Sequence, residues 1–189
     1  MWLDCANRSC KSCGSFTCTD CDAEGLSCAG CLIAGHQNFP FHSIREWNGK
    51  YFEKTSLNTL GYILHLNHGG YACPHLLSGA GAQEITILDV NGIHSLTIGW
   101  CRCYNAPELP EQLLTRQIIP ATLTRPQTAF TFRVLRLFHM LNHVARTTPW
   151  DFTGTMTRLT DNIDMHATPV CYRELFLWKM LIIEILGHL

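Results

Sequence analysis

Between residues 84 and 100 apolar and polar side chains alternate, and after residue 124 they recur with a helical period. Glu84–Val90 and Ile93–Trp100 read as two strands around Asn91-Gly92, a strong short hairpin signal. A two-residue loop at Asn91-Gly92 sets Val90 opposite Ile93, Asp89 opposite His94, Ile87 opposite Leu96 and Ile85 opposite Ile98. Ile85, Ile87, Leu96, Ile98 and Trp100 then share the face to be buried. Tyr62–Leu66 supplies a further strand. Downstream, Thr124 or Arg125 can cap a helix with Pro126 in its first turn. Phe130, Val134, Leu137, Leu141 and Val144 mark its apolar side. Thr148-Pro149 opens a second helix to about Leu159, and Thr168-Pro169 opens a third, apolar one ending before Gly187. The pattern predicts helical faces packing on each other and on the hairpin.

Residues 5–42 are patterned by cysteine and histidine instead. Seven of the eleven cysteines fall between residues 5 and 31. The ladder runs Cys10-x2-Cys13-x4-Cys18-x2-Cys21-x6-Cys28-x2-Cys31-x4-His36-x5-His42. A C-x-x-C pair lets two thiolates converge on one tetrahedral ion at about 2.3 Å, and histidine is a zinc ligand with no role in a disulfide framework. Four pairs supply eight ligands, enough for two closed zinc sites. Cys5 has no partner at pair spacing and is expected as a free or capping thiol. The order resembles the B-box and other cross-brace zinc modules, where first and third pairs share one ion and second and fourth the other. That resemblance implies Cys10, Cys13, Cys28 and Cys31 at one site and Cys18, Cys21, His36 and His42 at the second. A sequential pairing satisfies the same valences.

Alternation continued past Trp100 puts Cys101 and Cys103 on one face, where they can grip a further ion with Cys73 and a histidine. Of His65, His68 and His75 we choose His68, because His68-x4-Cys73 repeats the Cys31-x4-His36 spacing. Three zinc ions are expected. Asp89 facing His94 reads as a cross-strand charge pair rather than as catalytic machinery.

Charge narrows the partners little. Fourteen basic residues meet fifteen acidic ones, and the thiolate centres would take the total from −1 to about −4. Locally, Arg116, Arg125, Arg133, Arg136 and Arg146 lie between Thr115 and Trp150 without an acidic residue. Arg125, Arg133 and Arg136 are the candidates for contact with nucleic-acid phosphates. The start MWLDCANRSC lacks the apolar run of a signal peptide. Leu175–Leu186 contains Lys179 and Glu184 and is too short to span a bilayer. A soluble, intracellular chain without a membrane partner or small-molecule substrate is expected.

The C-x-x-C pair, TCTDC, LSCAGCLIAGH and PFHSIREWNGKYFEKTSLNTLG resemble the cysteine-cluster (CxC-type) domain ahead of the catalytic core in KDZ (Kyakuja–Dileera–Zisupton) transposases. The likeness continues through LHLNHGGYACP, ILDVNGIH, CRC, IIPATLTRPQTAFTFRVLRLFHMLN and RLTDN, covering about residues 10–175. It implies zinc ligation by these cysteines and histidines, and it favours His68 over His75. It further implies a nuclear location, and DNA, chromatin or transposase proteins as partners. After Tyr172-Arg173-Glu174 this chain departs from the family, continuing LFLWKMLIIEILGHL, and the nuclease core has no counterpart. The expected protein is therefore non-catalytic and α+β. Residues 1–46 form the two-zinc cross-brace module, 47–112 a small antiparallel sheet with the third site, and 113–189 a helical segment on that sheet. A B-box-like protein-interaction module without a DNA role is the competing expectation. A metalloenzyme would require an open coordination position.

Overall fold

The computed structural model describes residues 3–22, 24–75 and 82–161. The chain divides into two compact units, Met1–Leu64 and His65–Leu189, of mixed α and β structure.

In the first unit β1 (Leu3–Asp4) pairs antiparallel with β2 (Cys13–Gly14). Gly14 sits where the backbone of Leu26 passes so close that any side chain would overlap the Leu26 carbonyl. β3 (Phe16–Cys18) leads to α1 (Ala29–Gly35), capped by the Cys28 sulfur, which accepts from the Cys31 N–H. β4 (Ile44–Trp47) and β5 (Phe52–Thr55) then complete an antiparallel sheet in the order β3-β4-β5. The unit therefore runs well past residue 46. Its apolar interior is small: among the described residues Leu26, Leu32, Ile44, Leu57 and Leu64 are its buried leucines and isoleucines. An interior of that size points to cross-links for stability.

The strand β6 (Ile63–His65) leads into the second unit. A 3-10 turn follows at His68–Gly70, then the hairpin of β7 (Ala82–Asp89) and β8 (Gly92–Gly99). After α2 (Leu109–Leu114) come β9 (Ile118–Pro120), β10 (Thr128–Thr131), α3 (Phe132–Ala145) and α4 (Pro149–Thr160). The sheet order is β6-β8-β7-β10-β9, with β10 parallel to β7 and the hairpin antiparallel.

The hairpin register corrects the sequence expectation by two residues. Asp89 pairs with Gly92, Ile87 with His94 and Ile85 with Leu96, so the bend falls on Val90-Asn91. A type I′ turn on Asn91-Gly92 needs positive φ at both residues. Asn91 is not among the positive-φ residues, and Gly92 has φ +139° for another reason. A Cβ on Gly92 would lie 2.8 Å from Thr160 Oγ1, whose oxygen accepts the Ile93 N–H at 2.6 Å. The glycine admits the end of α4 rather than shaping the loop. A slip of two keeps every side chain on its face, so Ile85, Ile87, Leu96, Ile98 and Trp100 are still buried together.

The opposite face is buried as well. Leu88 and Ile93 pack with Phe130, Val134, Leu135 and Phe138, and with Phe152 and Met156 of α4. A second correction concerns Thr124–Thr131. No helix starts there: Thr128–Thr131 pairs with β7, and the Thr86 N–H donates to Gln127 O at 2.9 Å. β-branched and aromatic residues beside an open sheet edge outweigh the helical signal of Pro126. Thr131 then caps α3, its hydroxyl accepting the Val134 N–H at 3.2 Å. In α3 Val134, Leu135 and Phe138 are buried, and Leu141 and Val144, expected on the apolar side, are exposed. α4 occupies its expected span, with Thr148 capping Asp151. The helix expected from Thr168 lies outside the described residues.

Candidate metal centres

Twelve cysteines and histidines converge into three groups of four. Cys5, Cys10, Cys28 and Cys31 form the first; Cys18, Cys21, His36 and His42 the second; His68, Cys73, Cys101 and Cys103 the third. Within each group the donor atoms lie within 4.8 Å of one another.

The first group corrects the ladder at one rung. Cys13 stands exposed and outside the group, and Cys5 takes the place expected for it. The reason is local. β2 begins at Cys13, so the backbone is extended there and alternates Cys13 outward and Gly14 inward. The Cys5 N–H donates to Ser12 O at 3.1 Å, and the Cys28 N–H donates to Cys5 Sγ at 3.3 Å, fixing Cys5 beside α1. Spacing alone does not choose between the two, since Cys5-x4-Cys10 and Cys13-x4-Cys18 share the same interval.

Several edges of these groups are close to those of a metal tetrahedron. Zinc–sulfur bonds of about 2.3 Å and zinc–nitrogen bonds of about 2.0–2.1 Å place two sulfurs about 3.8 Å apart, and sulfur and nitrogen about 3.5 Å apart. Cys10 and Cys28 sulfurs are 3.7 Å apart, and those of Cys73 and Cys103 3.8 Å. In the second group His42 Nδ1 is 3.5 Å from Cys18 Sγ and 3.3 Å from Cys21 Sγ, and His36 Nε2 is 3.5 Å from Cys21 Sγ. His68 Nε2 is 3.1 Å from Cys101 Sγ and 3.4 Å from Cys103 Sγ in the third.

Neighbouring groups orient the donors. His36 Nδ1 is 2.8 Å from Leu32 O, which as an N–H···O bond leaves Nε2 with its lone pair toward the cysteines. Asn7 Nδ2 donates to Cys31 Sγ at 3.4 Å, and the Arg102 N–H to Cys73 Sγ at 3.5 Å. Gln112 on α2, which sequence reading did not single out, is buried and clamps the Cys101 backbone. Its Oε1 accepts the Cys101 N–H at 2.8 Å, and its Nε2 donates to Cys101 O at 3.1 Å. The other candidate histidines stay outside the third group: His75 is exposed, and His65 has its pKa lowered because burial penalises the imidazolium.

The thiols are unequal. The Ser12 backbone and side chain lower Cys10 to about 6, and the Arg102 amide lowers Cys73 to about 6. Burial pushes Cys18 up to about 11, and burial together with the Cys101 and Cys73 thiols pushes Cys103 up to about 11. Packed sulfurs that resist joint ionisation form a donor set suited to a divalent cation, and all three groups could hold a metal ion.

Residues 57–164 match the CxC2-like cysteine cluster associated with KDZ transposases. The chain belongs to this family. The CxC2-like match contains the third centre entire and begins after the first two, so the first unit's centres lie ahead of the matched region. The CxC2-like cluster is an accessory domain of these transposases rather than their catalytic core. No curated protein and no solved structure matches it. Among the described residues no helix is long and apolar enough to cross a membrane.

The candidate phosphate contacts are not equivalent. Arg125 and Arg136 are exposed, whereas Arg133 turns back onto Asp89. Asp89 does not pair with His94: its carboxylate accepts Arg133 Nε at 3.3 Å, Arg133 Nη2 and the Thr131 hydroxyl at 2.6 Å. His94 instead lies with Nε2 2.9 Å from Asn91 Oδ1.

Proposed function

We propose that this chain is a zinc-stabilised, non-catalytic recognition module of a KDZ-type transposase, nuclear in location, contacting DNA or other parts of the transposition machinery. The supporting observation is that each group brings four Cys or His donor atoms within 4.8 Å of one another. Such closed sites contribute folding free energy and leave no coordination position for substrate. Zinc is the metal that suits mixed thiolate and imidazole donors in this arrangement. Elemental analysis of the purified chain should find three zinc ions, and a count below two would overturn the reading. The DNA part has its own test. Duplex DNA should give a salt-sensitive mobility shift that weakens when Arg125 and Arg136 both become alanine.

One observation favours a second reading, a protein-interaction module without a DNA role. Met140, Leu141 and Val144 stand exposed on α3, with Trp150 exposed at the start of α4. Absence of any DNA shift at low salt would favour it.

A further inference from the structure

The third centre carries two aromatic side chains that the fold itself does not use. Tyr71 is 79% exposed and Tyr104 is 102% exposed. Each is tied to the centre through its neighbours. Tyr71 lies two residues before Cys73 and Tyr104 directly after Cys103, and the sulfurs of those two cysteines are 3.8 Å apart. The Tyr71 N–H donates to the carbonyl of His68, itself a member of the group, at 3.2 Å. Beyond Tyr104 the Ala106 N–H closes a turn on Cys103 O at 2.9 Å.

The backbone under Tyr71 is held in a conformation that its sequence does not favour. Asn67, His68, Gly69 and Gly70 have successive φ values of +62°, +45°, +66° and +94°. Two of the four are not glycine, and such a run persists where its surroundings over-determine it. The His68 imidazole, reaching the sulfurs of Cys101 and Cys103, is an anchor within the run.

Composition narrows what these rings meet. The two ligand-bearing stretches, Asn67–His75 and Cys101–Pro107, contain no aspartate or glutamate and no leucine, isoleucine, valine, methionine or phenylalanine. The stretches do contain Arg102, exposed beside Cys101 and Cys103, and His75, exposed beyond Cys73. Exposed aromatic faces with the Arg102 cation beside them suit unstacked bases joined by phosphates.

We infer that the third centre is a metal-set platform for single-stranded nucleic acid, on which Tyr71 and Tyr104 stack bases and Arg102 meets the backbone. The inference rests on the metal-binding reading above and adds a ligand class and a surface to it. The ion, bound through His68, holds the left-handed run and thereby Tyr71, so the platform exists in the metal-loaded chain.

The test uses the zinc-loaded full chain and fluorescein-labelled oligonucleotides of about 12 nucleotides, within the span such surfaces cover. DNA and RNA strands are separate arms, with a duplex of the same sequence as control. Anisotropy should show binding of at least one single strand. Tyr71→Ala and Tyr104→Ala should each weaken it about tenfold, whereas Tyr71→Phe and Tyr104→Phe retain it. All four variants should keep the full zinc count. Cys73→Ser should lose one zinc and the single-strand binding together. A double alanine variant that keeps its zinc and binds single strands like the parent overturns the inference, as does a loaded chain that binds neither strand. A parent chain whose zinc count does not fall on Cys73→Ser would count against metal at the third centre instead, so the two failures are distinguishable.

Discussion

Arg133 forks onto Asp89 through Nε and Nη2, and the carboxylate it meets has no exposed surface. Thr131, the cap of α3, completes the group by donating its hydroxyl to the same oxygen that accepts Nε. The end of β7 is thereby fastened to the start of α3. Removing one partner of a buried pair leaves the other charge without compensation. Arg133→Ala should destabilise the second unit by about 2 kcal/mol, less than for a fully buried pair because the arginine side chain is 63% exposed and water partly replaces it. Urea unfolding of the variant against the parent measures this. Unchanged stability would mean that the pair holds nothing together. In DNA binding the same variant should matter less than Arg136→Ala, whose guanidinium projects from the exposed side of α3.

Cys5 and Cys13 exchange expected roles, and single substitutions separate them. Cys5→Ser should remove one zinc from the chain, seen as a mass difference under native ionisation, while Cys13→Ser keeps every ion. The reverse outcome would restore Cys13 as the ligand.

Metal removal should affect the two units differently. The first has few buried aliphatic side chains, whereas the second encloses a cluster of eight buried residues around Leu88, Phe130 and Phe152, plus the Ile85, Ile87, Leu96, Ile98 and Trp100 face. A strong chelator should therefore abolish amide protection in the first unit and leave that of β7, β8 and α3 largely in place, read by hydrogen exchange. Simultaneous loss in both units would show that the second core also depends on its ion.

Gly92→Ala joins an unfavourable positive φ to an overlap with Thr160. A loss of about 1–3 kcal/mol is expected, carried by the hairpin and α4 together. Thermal unfolding of the variant gives the value, and a midpoint equal to the parent's would contradict the close approach described for Thr160.

The sequence carried much of this, for identifiable reasons. Alternation placed Ile85, Ile87, Leu96, Ile98 and Trp100 on one buried face, because a strand's period survives a register slip of two. Thr148-Pro149 marked α4, since capping is local chemistry. What escaped depends on distant partners. Gly92 looks like a turn residue until Thr160 is placed against it. Thr128–Thr131 looks helical until β7 offers an edge. Cys13 looks like the second half of a C-x-x-C pair until β2 turns it outward. Gln112 carries no motif, and its place emerges only with the Cys101 backbone beside it.

Seven residues of α1 join the first two centres. Cys28 caps the start of that helix and Cys31 lies on it, while His36 caps its end and donates to the other group. Filling either site fixes the helix for both, so the conformational entropy of ordering it is lost once for two ions rather than twice. The second ion should bind more tightly than the first, and partial loading should yield mostly empty and doubly filled chains with few intermediates. A metal-starved cell would then divide this protein into copies with a folded first unit and copies without one, turning a graded supply of zinc into a stepwise amount of folded first unit.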